Sequence, residues 1–259
     1  MTFSEAQIGT WLAAFVWPLI RISALVLAAP VFNARQIPVL YRLGLVLVLT
    51  LVTMPLLPRP PLVDVFSSSA LLMVLQQLLI GIAMGFMLQM VFAALVFGGQ
   101  VVAYSMGLGF ASMMDPQNGV QVPVISQFYL ILATLLFLVF DGHLLLIRML
   151  VESFHTFPVA IDGIGRSGIR EIVAWGSHLF AAGLLMALPV MAALLLVNLG
   201  MGVITRASPQ LNIFAVGFPI TMLLGFMLMW ITLPGVMDNF QALLDEGFRF
   251  LNHLLLITR

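Results

Sequence analysis

The sequence has no cysteine and no lysine, and it has few charges of either sign. Without cysteine, the chain can form no disulfide, no thiolate metal site and no thiol nucleophile. Charged residues make up 8% of the 259 residues, against roughly 25% in soluble domains, so polar groups cannot cover a water-facing surface. The formal net charge is zero and no basic stripe is present, so nucleic-acid binding has no support.

Motifs for catalysis are also missing. The four histidines are scattered, and none forms a His-x-x-x-His pair of the kind that holds a metal ion. No Gly-x-Ser-x-Gly elbow is present, and no Gly-x-x-x-x-Gly-Lys-Ser/Thr loop that cradles phosphates. We therefore expect a protein that is not an enzyme and that binds no metal or other cofactor.

Long apolar runs dominate what is present, since 62% of the residues are hydrophobic. Six segments come near the ~20 residues that a helix needs to cross hydrocarbon. Open strands cannot satisfy their backbone in lipid, so these segments are predicted to be helices. They are Ile8–Phe32, Ile37–Leu57, Ala70–Phe97, Val122–Phe140, Ile172–Ile204 and Leu211–Val236. The predicted fold class is an all-α, membrane-type protein with about six long apolar helices.

Breaks between the segments suggest how the chain is organised. The stretch "PRPPLVDVFSSSA" interrupts the chain with prolines and offers Ser67–Ser69 as helix N-caps. The turn "TRASPQLN" makes Ala181–Val236 a helical hairpin with Arg206 at its exposed bend. The longest polar stretch is Arg148–Glu171. This predicts a first part at residues 1–150, a polar connector at 151–171, and a hairpin with a tail at 172–259.

A few polar residues keep a transport function open. Coupled transporters place carboxylates or histidines deep within their spans to relay protons or ions. Asp141 and His143 lie at the end of the fourth segment, where an aqueous boundary explains them. Arg21 lies inside the first segment, where snorkelling or pairing within a complex explains it. A subunit of a solute transporter or a proton channel is therefore the alternative function.

Small residues recur at helical spacing in two places. Gly81 and Gly85 lie one turn apart, a spacing that lets two helices approach closely, either within this chain or with another subunit. A longer series recurs every four residues and would leave one helix face nearly bare. Its members are Gly99, Ala103, Gly107 and Ala111.

A bulky, flexible stripe accompanies that second series. Met106, Phe110 and the pair Met113 and Met114 recur at i, i+4 and i+7/i+8. Asp115-Pro116 is then expected to end the helix before a loop, "QNGVQVP". Composition alone favours a methionine-rich core turn over a moving gate, although methionine can fill an irregular gap and also move aside.

Three stretches resemble a known family: "RISALVLAAPVFNARQIPVLYRLGLVLVLT", "VFGGQVVAYSMGLGFASMMDPQNG" with "PVISQF", and "ALPVMAALLLVNLGMGVITRASPQLNIFAVGFPITMLLGF". They are similar to the FliR family, the R-type subunits of the flagellar type III protein export gate. The similarity spans nearly the whole chain, and "GLGFASMMDP" is its most specific part. Homologous subunits of injectisome export gates share the fold and are the other alternative.

The resemblance implies a pore-forming subunit without enzymatic activity in the bacterial inner membrane, within the flagellar basal body. R-type subunits assemble with P-type and Q-type subunits, which implies these partners together with the FlhB-type switch subunit and the basal body ring. Unfolded flagellar proteins pass through the pore as cargo. By this resemblance, residues 1–150 are a four-helix P-type-like part and residues 172–259 a two-helix Q-type-like part.

The resemblance also implies a plug loop near residues 105–120 that constricts the closed pore. Its bulky residues are Phe110, Met113 and Met114, with Met106 at its start. Its hinge and break residues are Gly107, Gly109, Asp115, Pro116 and Gly119. Seen this way, the stripe is a gate, which reverses the preference that composition alone suggests.

Overall fold

The computed structural model describes residues 5–34, 36–61, 63, 67–109, 124–208 and 213–257. All regular secondary structure within these residues is helical, which confirms the prediction of an all-α, membrane-type fold. The helices described are α1 Glu5–Ala28, α2 Val39–Thr53, α3 Ser68–Ser105, α4 Val124–Val139, α5 Gly142–Thr156, α6 Arg166–Ala207 and α7 Ile213–Leu254. A short 3-10 turn, Met54–Leu56, follows α2.

Five of these helices are long and apolar enough to cross a membrane, and the count becomes six if α4 and α5 form one broken span. The break between α4 and α5 lies at Phe140 and Asp141. Asp141 has a left-handed backbone, with φ of 54°. The fourth predicted segment therefore does not end in a connector, because a further helix begins directly after Asp141.

Helix α5 was missed by the sequence analysis, which assigned part of it to the polar connector. Its buried residues recur at helical spacing and include Leu146, Met149, Leu150, Ser153 and Phe154. Such an amphipathic helix carries charged residues on its other face. A search for continuous apolar runs cannot detect it.

The last helix shows the same pattern. The sixth apolar segment was predicted to end at Val236, but α7 continues to Leu254. Phe240, Leu243, Leu244 and Leu251 are buried along this continuation, again at helical spacing. The expected tail is therefore mostly an amphipathic helix.

The start of α3 follows the predicted capping chemistry. Ser67 precedes the first helical residue, and its Oγ accepts a hydrogen bond of 3.1 Å from the backbone N–H of Ala70. This is the bond that an N-cap serine makes to the third residue of a helix. It satisfies one of the backbone donors that the first turn leaves unpaired.

The chain divides into two compact units that interleave along the sequence. The first contains residues 1–90, 137–175 and 245–259. Within it, Trp17, Ala70 and Met73 form a buried cluster, and the rings of Trp175 and Phe250 lie 6.2 Å apart.

The second unit contains residues 91–136 and 176–244. Its core includes an edge-to-face pair between Phe92 and Phe240, with ring centroids 5.7 Å apart. Phe97 and Phe180 form a similar pair at 5.4 Å. The division into P-type-like and Q-type-like parts concerns likeness to other subunits, and it stays a prediction.

Candidate functional site

The candidate site begins where α3 ends. Gly107 has φ of +84°, a left-handed conformation that side chains with a Cβ rarely adopt. Its N–H donates to the carbonyl of Tyr104, and the N–H of Leu108 donates to the carbonyl of Ala103, both at 3.0 Å. These two bonds form a Schellman motif, in which a left-handed glycine closes the last turn of a helix.

The last turn of α3 is anchored to α7 within the second unit. The side chain of Met106 is fully buried, and a Cβ on Gly225 would come within 2.8 Å of its sulfur. The Thr221 hydroxyl, also buried, lies 3.4 Å from the Met106 carbonyl and donates to it. The ring of Phe218 lies beside Gly107, 3.2 Å from the position that a Cβ would take there.

The sequence predicts that this helix reaches Asp115-Pro116, but α3 already ends at Ser105. The reason is the left-handed backbone of Gly107, which turns the chain out of the helix. Gly107 therefore does not extend the bare helix face of Gly99 and Ala103. Beyond this turn, Gly109 lies against the ring of Tyr104.

Most of the predicted gate residues lie outside the described residues. These are Phe110, Met113, Met114, Asp115, Pro116 and Gly119, and the predicted packing residue Ala111 also lies outside the described residues. Their assignment as bulky gate residues and hinges stays a prediction. Of the predicted gate set, the structure describes Met106, Gly107 and Gly109.

The first pair of small residues makes a contact within the chain. Gly81 and Gly85 lie on α3 and face α1 in the first unit. A Cβ on Gly81 would meet the Ala24 methyl at 2.7 Å, and a Cβ on Gly85 would meet the Ala29 backbone nitrogen at 2.8 Å. No side chain fits at either position, so the two helices pack backbone to backbone.

Further along α3, Gly99 and Ala103 are both buried in the second unit. A Cβ on Gly99 would lie 2.8 Å from the Ser126 Cα on α4. A second close crossing is not predicted from the sequence: a Cβ on Gly98 would lie 2.8 Å from the carbonyl oxygen of Gly183 on α6. The spacing of glycines cannot pair Gly98 with a residue so far along the chain.

Asp141 and His143, the two candidates for a proton or ion relay, are close together in sequence but differ in environment. Asp141 is exposed and precedes the first turn of α5. His143 is half-buried, and its Nδ1 has no hydrogen-bond partner in the described part of the chain.

Arg206 is exposed in the last turn of α6, beside the predicted bend of the hairpin.

Comparison with known proteins places these features in a family. The sequence model of the family described as "Bacterial export proteins, family 1" matches residues 12–247. The flagellar biosynthetic protein FliR of Pectobacterium carotovorum subsp. carotovorum is 39% identical over 255 residues, which cover 98% of this chain and 97% of the relative.

Relatives from two other bacteria give the same result. FliR of Escherichia coli K12 is 40% identical over 242 residues, covering 93% of this chain and 92% of the relative. FliR of Bacillus subtilis 168 is 31% identical over 219 residues, covering 83% and 84%. The chain therefore belongs to family 1 of the bacterial export proteins, among the FliR flagellar biosynthetic proteins.

Proposed function

We propose that this protein is a pore-forming subunit of the flagellar protein export gate and that residues near 105–120 close the pore. Membership of the family makes the chain a component of the flagellar export apparatus. Our proposal gives the chain a specific role within that apparatus. It lies in the bacterial inner membrane and lines the path of unfolded flagellar proteins, as a structural and not an enzymatic subunit.

The anchored end of α3 is the observation that carries this proposal. Met106 is buried, its carbonyl accepts a hydrogen bond, and Gly107 turns the chain sharply out of the helix. A segment that must move against a fixed frame needs such an anchor at its base. Met106 then holds the base of the gate segment, and the bulky side chains beyond Gly107 close the pore.

Side-chain chemistry suits Phe110, Met113 and Met114 to this role. Bulky apolar side chains can fill a pore and leave a segment too apolar to wet, which blocks ions and small solutes. Methionine has three rotatable bonds, so it can repack around a passing chain of any sequence. A ring of charged residues would instead select the cargo by its charge.

Exposed apolar surfaces support the proposal that other subunits surround this chain. An open apolar groove of about 350 Å³ lies in the second unit between α4 and α7. Its lining includes Phe128, Phe226 and Trp230, and Trp230 is 79% exposed. We propose the P-type and Q-type subunits as neighbours, with the FlhB-type switch subunit and the basal body ring as further partners.

The test is to change Phe110, Met113 and Met114 together to alanine in the complete export complex. We expect membranes that contain this complex to conduct ions or take up small solutes, because the apolar constriction is lost. Export itself should persist, since the path is widened and not blocked. The measurement is conductance or solute uptake at equal amounts of assembled complex.

A matched control removes three exposed apolar side chains from α6, by changing Leu195, Leu199 and Val203 to alanine. This control loses a similar apolar volume from a helix that carries none of the proposed gate residues, so we expect the pore to stay closed. If the gate variant stays as tight as the unaltered complex, these residues do not close the pore. Equal leakage through both variants would show a general packing defect and would also contradict the proposal.

A further inference from the structure

Arg21 is a buried cation in the apolar helix α1. None of its surface is exposed. Snorkelling and pairing within a complex were the explanations that the sequence offered. The structure shows neither, because the guanidinium is enclosed by residues of its own chain in the first unit.

The guanidinium makes four hydrogen bonds, and every acceptor is uncharged. Its Nε donates to Oε1 of Gln77 on α3 at 2.8 Å. One terminal nitrogen donates to both the carbonyl and the hydroxyl of Ser153, at 2.8 and 3.0 Å. The other donates to the carbonyl of Phe157 at 2.8 Å. The fork of the side chain thus joins α1 to α3 and to the end of α5.

A buried charge is costly unless something compensates it. Ser153 and Phe157 supply carbonyls at the C-terminal end of α5, where the helix dipole gives partial negative charge. The Ser153 carbonyl also accepts the backbone N–H of Phe157, at 2.9 Å. The Phe154 ring lies 3.9 Å from the guanidinium carbon and adds a cation–π contact. The end of a helix and an aromatic face here take the place of a carboxylate.

The bonds of Arg21 hold the start of the segment that connects α5 to α6, residues 157–165. The same segment contacts α3 again at Gly163, where a Cβ would lie 2.9 Å from the side-chain carbon Cδ of Gln76. Ile164 follows and is buried. Two adjacent glutamines of α3 thus face this network, one toward Arg21 and one toward the connecting segment.

We propose that Arg21 is a positioning residue, which fixes residues 157–165 against α1 and α3 and thereby sets where α6 begins. The polar stretch between the two predicted parts is then a fixed element of the structure and not a free linker. This inference requires only that the chain works in the export apparatus. It does not depend on the proposed gate.

The geometry explains why arginine is needed at this position. Arginine presents five N–H donors in a rigid planar fork, whereas lysine presents three donors from a single atom. Lysine cannot reach Gln77, Ser153 and Phe157 together. Methionine is shorter than arginine and uncharged, so Arg21→Met removes the buried cation and its four hydrogen bonds while keeping an unbranched apolar stem in the space.

The experiment compares Arg21→Met and Arg21→Lys with the unaltered protein in the assembled complex. Hydrogen exchange is followed in residues 157–165 and in the rest of the chain, and export is followed by motility. We expect exchange in 157–165 to become roughly tenfold faster in both variants, as buried hydrogen bonds are lost, with little change elsewhere. Motility should fall in both variants. Arg148→Met, at an exposed arginine of α5, is the control that should change neither quantity.

Changes at Gln77 keep the test decisive if the Arg21 variants do not fold. Gln77→Leu removes one acceptor and should produce the same local increase in exchange. Gln77→Glu keeps an acceptor and replaces the Nε2 donor, which has no partner in the described part of the chain, so it should retain protection. Normal motility in Arg21→Met, or full recovery with Arg21→Lys, would overturn the proposal. Two results for Gln77→Leu would also overturn it: faster hydrogen exchange throughout the chain, or unchanged exchange in residues 157–165. A third is faster exchange in residues 157–165 of Gln77→Glu, equal to that of Gln77→Leu.

Discussion

Helices α3 and α7 are similar in length and hydropathy but differ in how much of each is buried. Both are long, and the mean hydropathies of their most apolar 18-residue windows are 2.3 and 1.9. Yet 67% of the most apolar window is buried in α3 and only 22% in α7. Composition alone gives no reason for such a difference.

The difference follows from where other helices of the chain can approach. Along α3, Gly81, Gly85, Gly98 and Gly99 each lie against a neighbouring helix with no room for a side chain. Along α7, Gly225 lies against the Met106 side chain, while Gly235 has nothing within 4 Å of a potential Cβ. Close backbone contacts allow helices to surround α3, whereas α7 keeps large apolar side chains exposed. Lipid or partner subunits must cover those side chains.

The largest expected effect comes from filling a close contact of α3. Gly85→Leu should cost more than about 3 kcal/mol, because even a Cβ collides with the backbone of α1. We expect little folded protein, measured as the yield of monodisperse protein in detergent. Gly235→Leu on α7 is the control and should fold.

The Gly235→Leu control also tests whether a partner covers α7. If Gly235→Leu folds but does not enter the complex, a partner covers this part of α7. If Gly85→Leu folds as well as Gly235→Leu, the close contact between α3 and α1 does not hold in the protein.

A smaller effect is expected from Met106→Ala at the end of α3. Met106 is fully buried against Gly225, so removal of its side chain leaves a cavity and should cost about 3 kcal/mol. The measurement is thermal unfolding in detergent. Met227→Ala on α7 removes the same side chain from a site that is 61% exposed and should leave the unfolding temperature nearly unchanged. Equal destabilisation by the two changes would contradict the contrast between the helices.

The smallest effect concerns the turn that ends α3. Gly107→Ala should cost about 1–2 kcal/mol, because alanine is strained at a φ of +84°. Gly107→Asn should cost less, since asparagine tolerates the left-handed conformation better than other residues with a Cβ. Thermal unfolding of the three proteins should therefore rank them glycine, asparagine, alanine. An alanine variant as stable as the glycine protein would exclude a left-handed residue at this position.

Sequence reasoning succeeded where one local property decides the structure. Hydropathy over about 20 residues located the long apolar helices of the described residues, and the serines before an apolar run placed the N-cap within Ser67–Ser69, where the structure has it at Ser67. It failed for α5 and for the second half of α7, because amphipathic helices lack a continuous apolar run. It also placed the end of α3 too late, since a glycine within an apolar stretch can either continue a helix or end it in a left-handed turn.

The sequence by itself determined the class of the protein. So much apolar surface and so little charge leave only helices in a membrane or in a membrane complex, and the central motif pointed to the export family. Only the tertiary structure decided how individual polar and small residues are used. Arg21 is satisfied by acceptors far along the chain, and Gly98 meets Gly183 across two helices. Such pairings depend on which segments pack together, and a pattern of neighbours along the chain does not contain that information.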